Sequence, residues 1–142
     1  MPRSAMTPPK KTMAFRRLGD LFVVVHTAAL PRDDEWDAYF EALSRLDPMK
    51  TRNLVFTRGG GPNADQRARV KALLNGRTSL VSVITESLWV RTIVKVLQWD
   101  NPQMRVFSPD EMDEAYRRLQ LTPAEIEAAS REMAAMRREL GV

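Results

Sequence analysis

The sequence predicts an α/β fold: a mixed four- to five-stranded sheet, mostly parallel, with an antiparallel edge hairpin and helices packed on it. Three observations predict it. The runs LFVVVHT (21–27), NLVFT (53–57) and SLVSVIT (79–85) are short, β-branched and almost continuously apolar, as strands buried on both faces are. Segments of helical periodicity separate these runs. The segment ahead of the first run, MAFRRL (13–18), reaches it through Gly19-Asp20 alone. That link is too short for a crossover, so the pair must be antiparallel.

The elements follow in order. Residues 1–12 mix Pro, Lys, Arg, Ser and Met without periodicity, and are expected to be a disordered basic tail. The hairpin 13–27 comes next. Asp33-Asp34-Glu35 places acid where a helix dipole favours it, and Trp36, Tyr39, Phe40, Leu43 and Leu46 then share one face. After NLVFT comes a glycine-rich loop, Gly59-Gly60-Gly61-Pro62-Asn63. The helix from Ala64 to Asn75 has Val70, Leu73 and Leu74 as its core stripe, and Asn63 with Gln66 fits a capping box.

The helix Ser87 to Trp99 has a narrow polar stripe of Arg91, Lys95 and Gln98. Trp89, Val90, Ile93, Val94, Val96, Leu97 and Trp99 cover the rest, a face wide enough to be deeply buried or partly offered to a partner. Met104 to Phe107 is the last strand. Ser108-Pro109-Asp110-Glu111 is a capping box with proline at the first helical position, and Met112, Ala115, Tyr116 and Leu119 form the stripe behind it. Thr122-Pro123-Ala124-Glu125 is a second box, opening an extra C-terminal helix (121–142) with Ile126, Ala129, Met133, Met136 and Leu140. That stripe is too short for an independent coiled coil, so it packs back on the domain or against a second copy as a homodimer.

Bulk composition narrows the function classes. At 142 residues the chain fits a single domain. Without cysteine it has no disulfide, thiolate ligand or thiol nucleophile, which suits a cytoplasmic protein. No apolar run nears the roughly 20 residues of a membrane span, and MPRSAMTPPKKT lacks the apolar core of a secretory signal, so no membrane role is expected. The net charge of +4 hides blocks: residues 48–107 hold ten bases against three acids, while 20–47 and 108–142 are acidic. A uniformly basic nucleic-acid binder would look different, and nucleic acid is not the expected partner.

The order of segments resembles the STAS domain of anti-sigma-factor antagonists, especially small single-domain bacterial proteins of that kind. The residues that carry the resemblance are the hairpin FRRLGDLFVVV, NLVFT with its loop into ADQRARVKALL, SLVSVIT, and MRVFSPDEMDEAYRRL, where Phe107, Glu114-Ala115 and Leu119 match the family's ending. It spans residues 13–120. The resemblance implies a regulatory domain that meets partner proteins at the edge following the middle strand. The family's phosphorylated serine has no counterpart in Thr57-Arg58-Gly59-Gly60-Gly61-Pro62-Asn63, so a phospho-switch is not carried over.

The expected function is a non-catalytic regulatory or adaptor domain, acting through another protein at the glycine-loop edge. Its expected contact residues are Arg58, Gly59, Gly60, Gly61, Asn63, Arg67, Arg69, Trp89 and Arg91, with an acidic surface on the partner. The alternative is a module that senses a nucleotide or other phosphorylated small molecule at Gly59–Asn63, since glycine-rich turns before helices cradle anions. The spacing is neither that of a P-loop nor that of a dinucleotide fingerprint. His26, the sole histidine, is read as a satisfied structural residue, and the paired carboxylates at helix starts as dipole partners. No catalytic residue, metal site or cofactor is expected, and the chain is not read as an enzyme.

Overall fold

The computed structural model describes residues 10–142. Most of the expected basic tail, residues 1–9, lies outside the described residues. Strands are β1 (Met13–Leu18), β2 (Leu21–His26), β3 (Arg52–Thr57), β4 (Leu80–Ile84) and β5 (Met104–Phe107). Helices are α1 (Asp33–Ser44), α2 (Ala64–Leu74), α3 (Leu88–Leu97), α4 (Met112–Arg118) and α5 (Pro123–Leu140). The sheet order is β1-β2-β3-β4-β5, with β1 antiparallel to β2 and the remaining pairs parallel. The fold class matches the sequence expectation, with five strands.

Crossovers that step in one direction along a sheet, with the usual right hand, land on one face. α1, α2 and α3 accordingly lie on one side, and α4 and α5 on the other. Strand alternation sorts the side chains between them. Leu21, Val23 and Val25 of β2, Leu54 and Phe56 of β3 and Ile84 of β4 pack with α4 and α5, against Leu119, Ala129, Met133 and Met136. On the opposite face Phe22 and Val24 pack with Trp36 and Tyr39, and Val81 and Val83 with Val90 and Val94.

The C-terminal stripe is thus consumed inside the chain. Ala129, Met133, Met136 and Leu140 are buried on the sheet, so the homodimer expected through α5 loses its apolar surface. At the other end of the chain, Thr12 donates to Glu35 from its backbone nitrogen (2.8 Å) and its hydroxyl (2.5 Å), and Lys11 pairs with Glu139 (2.9 Å).

The expected stripe of α2 turns out differently. Only Leu74 is buried, while Val70 and Leu73 are half-buried. Polar links at its flanks hold the helix. Gln66 Nε2 donates to the Pro31 carbonyl and to Asp33 (both 3.2 Å). Arg69 pairs with Asp37 and lies 4.4 Å over the Phe40 ring. Lys71 pairs with Asp100 beyond α3 (3.6 Å). Suspended this way, α2 roofs a cavity of about 450 Å³, with only Val70 and Leu74 reaching down towards the core beneath it.

Candidate binding edge and cavity

The glycine loop follows directly from the end of β3. Thr57 Oγ1 accepts from the Gly59 N–H (3.0 Å) and donates to the Gly60 carbonyl (2.6 Å). The Gly60 N–H donates to the Thr27 carbonyl (2.8 Å). Two of the three glycine donors are therefore committed inside the protein. Gly59 has φ +142°, a conformation that disfavours a side chain. Gly60 is needed for a different reason: a Cβ there would lie 2.2 Å from the Ala29 carbonyl oxygen. The loop is a close backbone crossing onto the β2–α1 connection. Asn63 then caps α2, accepting from the Gln66 N–H (2.9 Å) while Gln66 Oε1 accepts from the Asn63 N–H (2.9 Å).

The nearby cations do not act as one face. Arg58 is exposed, with its guanidinium 5.3 Å from the centroid of the Phe56 ring. Arg67 is half-buried and donates to the Pro62 carbonyl (3.0 Å). Arg69 is tied to α1 through Asp37 and Phe40. The expectation grouped Arg67 and Arg69 in one docking patch, but Arg69 serves to clamp two helices together.

α3 supplies the other half of the expected surface. Ser87 caps it, accepting from the Val90 N–H (3.2 Å). Val90 and Val94 face inward and are buried. Leu88, Trp89, Val96 and Trp99 are left in water, at 79%, 66%, 52% and 85% exposure. Lys95 is exposed along the same helix and Arg91 is half-buried. Of the residues expected to form the site, Gly59, Gly60, Gly61, Asn63, Arg67 and Trp89 come together around the α2 cavity, while Arg58, Arg69 and Arg91 do not line it.

Family models, curated proteins and solved structures contain no match to this chain.

The floor of the cavity is every second residue of three strands: Val24 and His26, then Asn53, Val55 and Thr57, then Val81 and Val83. Leu43 of α1, Val70, Leu73 and Leu74 of α2 and Ile93, Val94 and Leu97 of α3 complete it. Exposed Leu30, Trp89, Lys71 and Asp100 mark its rim. At one end Thr51, Asn53, Ser79 and Asn101 form a hydrogen-bonded cluster. The Thr51 and Ser79 hydroxyls are 2.9 Å apart, Asn53 Nδ2 donates to Ser79 Oγ (2.9 Å), and Asn101 Nδ2 donates to the Ser79 carbonyl (2.8 Å). Asn53 Oδ1 has no partner.

At the other end His26 stacks on Trp36, with ring centroids 6.5 Å apart. Neither His26 Nδ1 nor Trp36 Nε1 has a partner, so the satisfied histidine expected from the sequence lacks one of its bonds. Burial lowers the His26 pKa to about 4, against a small opposing pull from Glu35, and the ring is neutral at physiological pH. Among the described residues no group of three or more His, Asp or Glu side chains is placed to hold a metal ion. No helix among them is long and apolar enough to cross a membrane.

The sequence reading missed Asn53, Ser79 and Gln66 as site-shaping residues. A signal for the first was available: a polar residue at a buried, inward position of a strand needs partners.

Proposed function

We propose that this chain is a non-catalytic interaction module that binds another protein through the outer face of α3 and the adjoining glycine-loop edge. The observation that carries this reading is α3 itself. Its inner residues anchor it to the sheet while Leu88, Trp89 and Val96, with Trp99 in the turn that follows it, stand in water. Clustered exposed apolar side chains with tryptophan among them are the composition of a protein contact. Lys95 beside this face, within a block of ten bases and three acids, favours a partner with an acidic rim. The STAS resemblance of residues 13–120 supports the same edge. The phosphate-cradle alternative is less well supported, because the Gly59 and Gly60 donors are already used.

The test is affinity purification from the cell of origin, comparing the native chain with Trp89→Ser and Trp99→Ser combined. The expected outcome is one set of partners lost with the double variant and an unchanged thermal melt. Retention of every partner by the folded double variant refutes the assignment of this surface.

A further inference from the structure

We infer that the cavity beneath α2 is a binding site for an uncharged, largely apolar small molecule, sharing only its rim, Trp89 and the glycine loop, with the protein contact proposed above. Its volume of about 450 Å³ lies within the range of small-molecule sites. Its floor and walls are aliphatic and aromatic, from Val24, Val55, Val83, Leu73, Ile93 and Tyr39. A cavity with such a lining is poorly wetted, and apolar molecules occupy such spaces readily.

Charge selects the class of ligand. The charged side chains on the lining are Arg67, Lys71 and Asp100. Lys71 and Asp100 neutralise each other at the rim, and Arg67 is turned to the Pro62 carbonyl. Arg67 keeps its charge at the glycine-loop end, but the aliphatic space between the strands and α2 holds no charged group, and burying an uncompensated charge there is strongly unfavourable. The few polar groups are neutral and sit at the two ends, with Asn53 Oδ1 at one and the His26 and Trp36 ring nitrogens at the other. The Asn53 amide is oriented by donation to Ser79 Oγ and to the Leu80 carbonyl (3.3 Å), which leaves its oxygen as the unmatched group. Apolar walls with a small number of polar atoms at fixed points are the pattern of a ligand site.

α2 is built to admit such a molecule. Gln66 on the Pro31 carbonyl, buried Leu74 and half-buried Val70 hold it down, while its outer links, Arg69 to Asp37 and Lys71 to Asp100, are partly exposed ion pairs weak enough to open.

The probe is N-phenyl-1-naphthylamine, a neutral aromatic fluorophore, compared with its sulfonated analogue 1-anilinonaphthalene-8-sulfonate. The neutral dye is expected to bind saturably with blue-shifted emission, and the sulfonate about ten-fold more weakly or worse. Val55→Phe, which fills the floor, is expected to lower affinity for the neutral dye about ten-fold while keeping a cooperative melt. If that variant does not fold, Leu73→Trp fills the same space from the roof. Trp99→Ser, off the cavity, is expected to leave dye binding intact. No saturable binding, equal binding of the two dyes, or undiminished binding by a folded filled variant overturns the inference. Loss of binding in Trp99→Ser alone places the dye on the outer face of α3 and overturns it as well.

Discussion

Gly60 and Ala29 are held in backbone contact: a Cβ built on Gly60 would lie 2.2 Å from the Ala29 carbonyl oxygen and 2.6 Å from that of Thr27. This contact ties the end of β3 to the connection after β2. Neither backbone can yield without breaking the Gly60 N–H bond to Thr27 (2.8 Å). Gly60→Ala should therefore destabilise by about 1–3 kcal/mol through overpacking, and lower the melting temperature by several degrees. Gly61 has open space around it. Gly61→Ala should leave the melt unchanged, and calorimetry on the two variants checks the pair.

His26 predicts a pH dependence. Its pKa is lowered by burial from 6.5 to about 4. The unfolded chain takes up the proton first, so stability present above pH 6.5 is lost as pH falls towards 4. The difference amounts to on the order of 3 kcal/mol at full extent. Urea titrations between pH 7 and 4 should show this slope, and His26→Phe should flatten it.

A second acid-sensitive contact lies at lower pH. Arg52 reaches Asp20 (2.7 Å), Glu125 and the Leu119 carbonyl (3.2 Å), stapling β3 to the start of α5. The Arg52 hydrogen bond, foremost, and the Thr122 N–H hold the Glu125 pKa down at about 2. A carboxylate with a depressed pKa contributes above its ordinary value of 4.5 and loses that contribution as pH falls through 2. Glu125→Gln should remove this component of acid unfolding without altering the window set by His26. Acid titration followed by circular dichroism distinguishes the two.

Arg69 joins α2 to α1 through Asp37 and the face of Phe40. Partly exposed contacts of this kind contribute about 1 kcal/mol or less. Arg69→Ala should cost little in global stability, yet speed amide exchange across residues 64–74. Arg67→Ala removes a bond within the same loop–helix segment, to Pro62, and should leave that exchange closer to native. Equal acceleration in both variants would contradict the clamp.

Local chemistry made most of the fold legible. The β-branched runs, the caps at Asn63 and Thr122, and the short Gly19-Asp20 link each act over a few residues, and each is where the sequence places it. The periodic stripes of α4 and α5 could be read because those helices pack directly on the sheet. The glycine loop was legible as a site of special backbone but not as to cause. Gly60 is required by Ala29, a residue 31 positions away, and no local pattern shows that approach.

The α2 stripe marks the boundary between the two kinds of information. Val70, Leu73 and Leu74 are written as a core face, and period alone cannot distinguish a face packed on a sheet from a face over a hollow. That distinction depends on how far neighbouring elements hold the helix away, through Arg69 on α1, Gln66 on the Pro31 carbonyl and Lys71 on Asp100. The same holds for α3, whose wide apolar surface could be read from residues 87–99 but not divided into an inner and an outer side. Amino-acid order encodes elements and their apolar faces through short-range sterics and hydrogen bonding. Cavities and exposed faces arise from distances between elements, which only the packed chain sets.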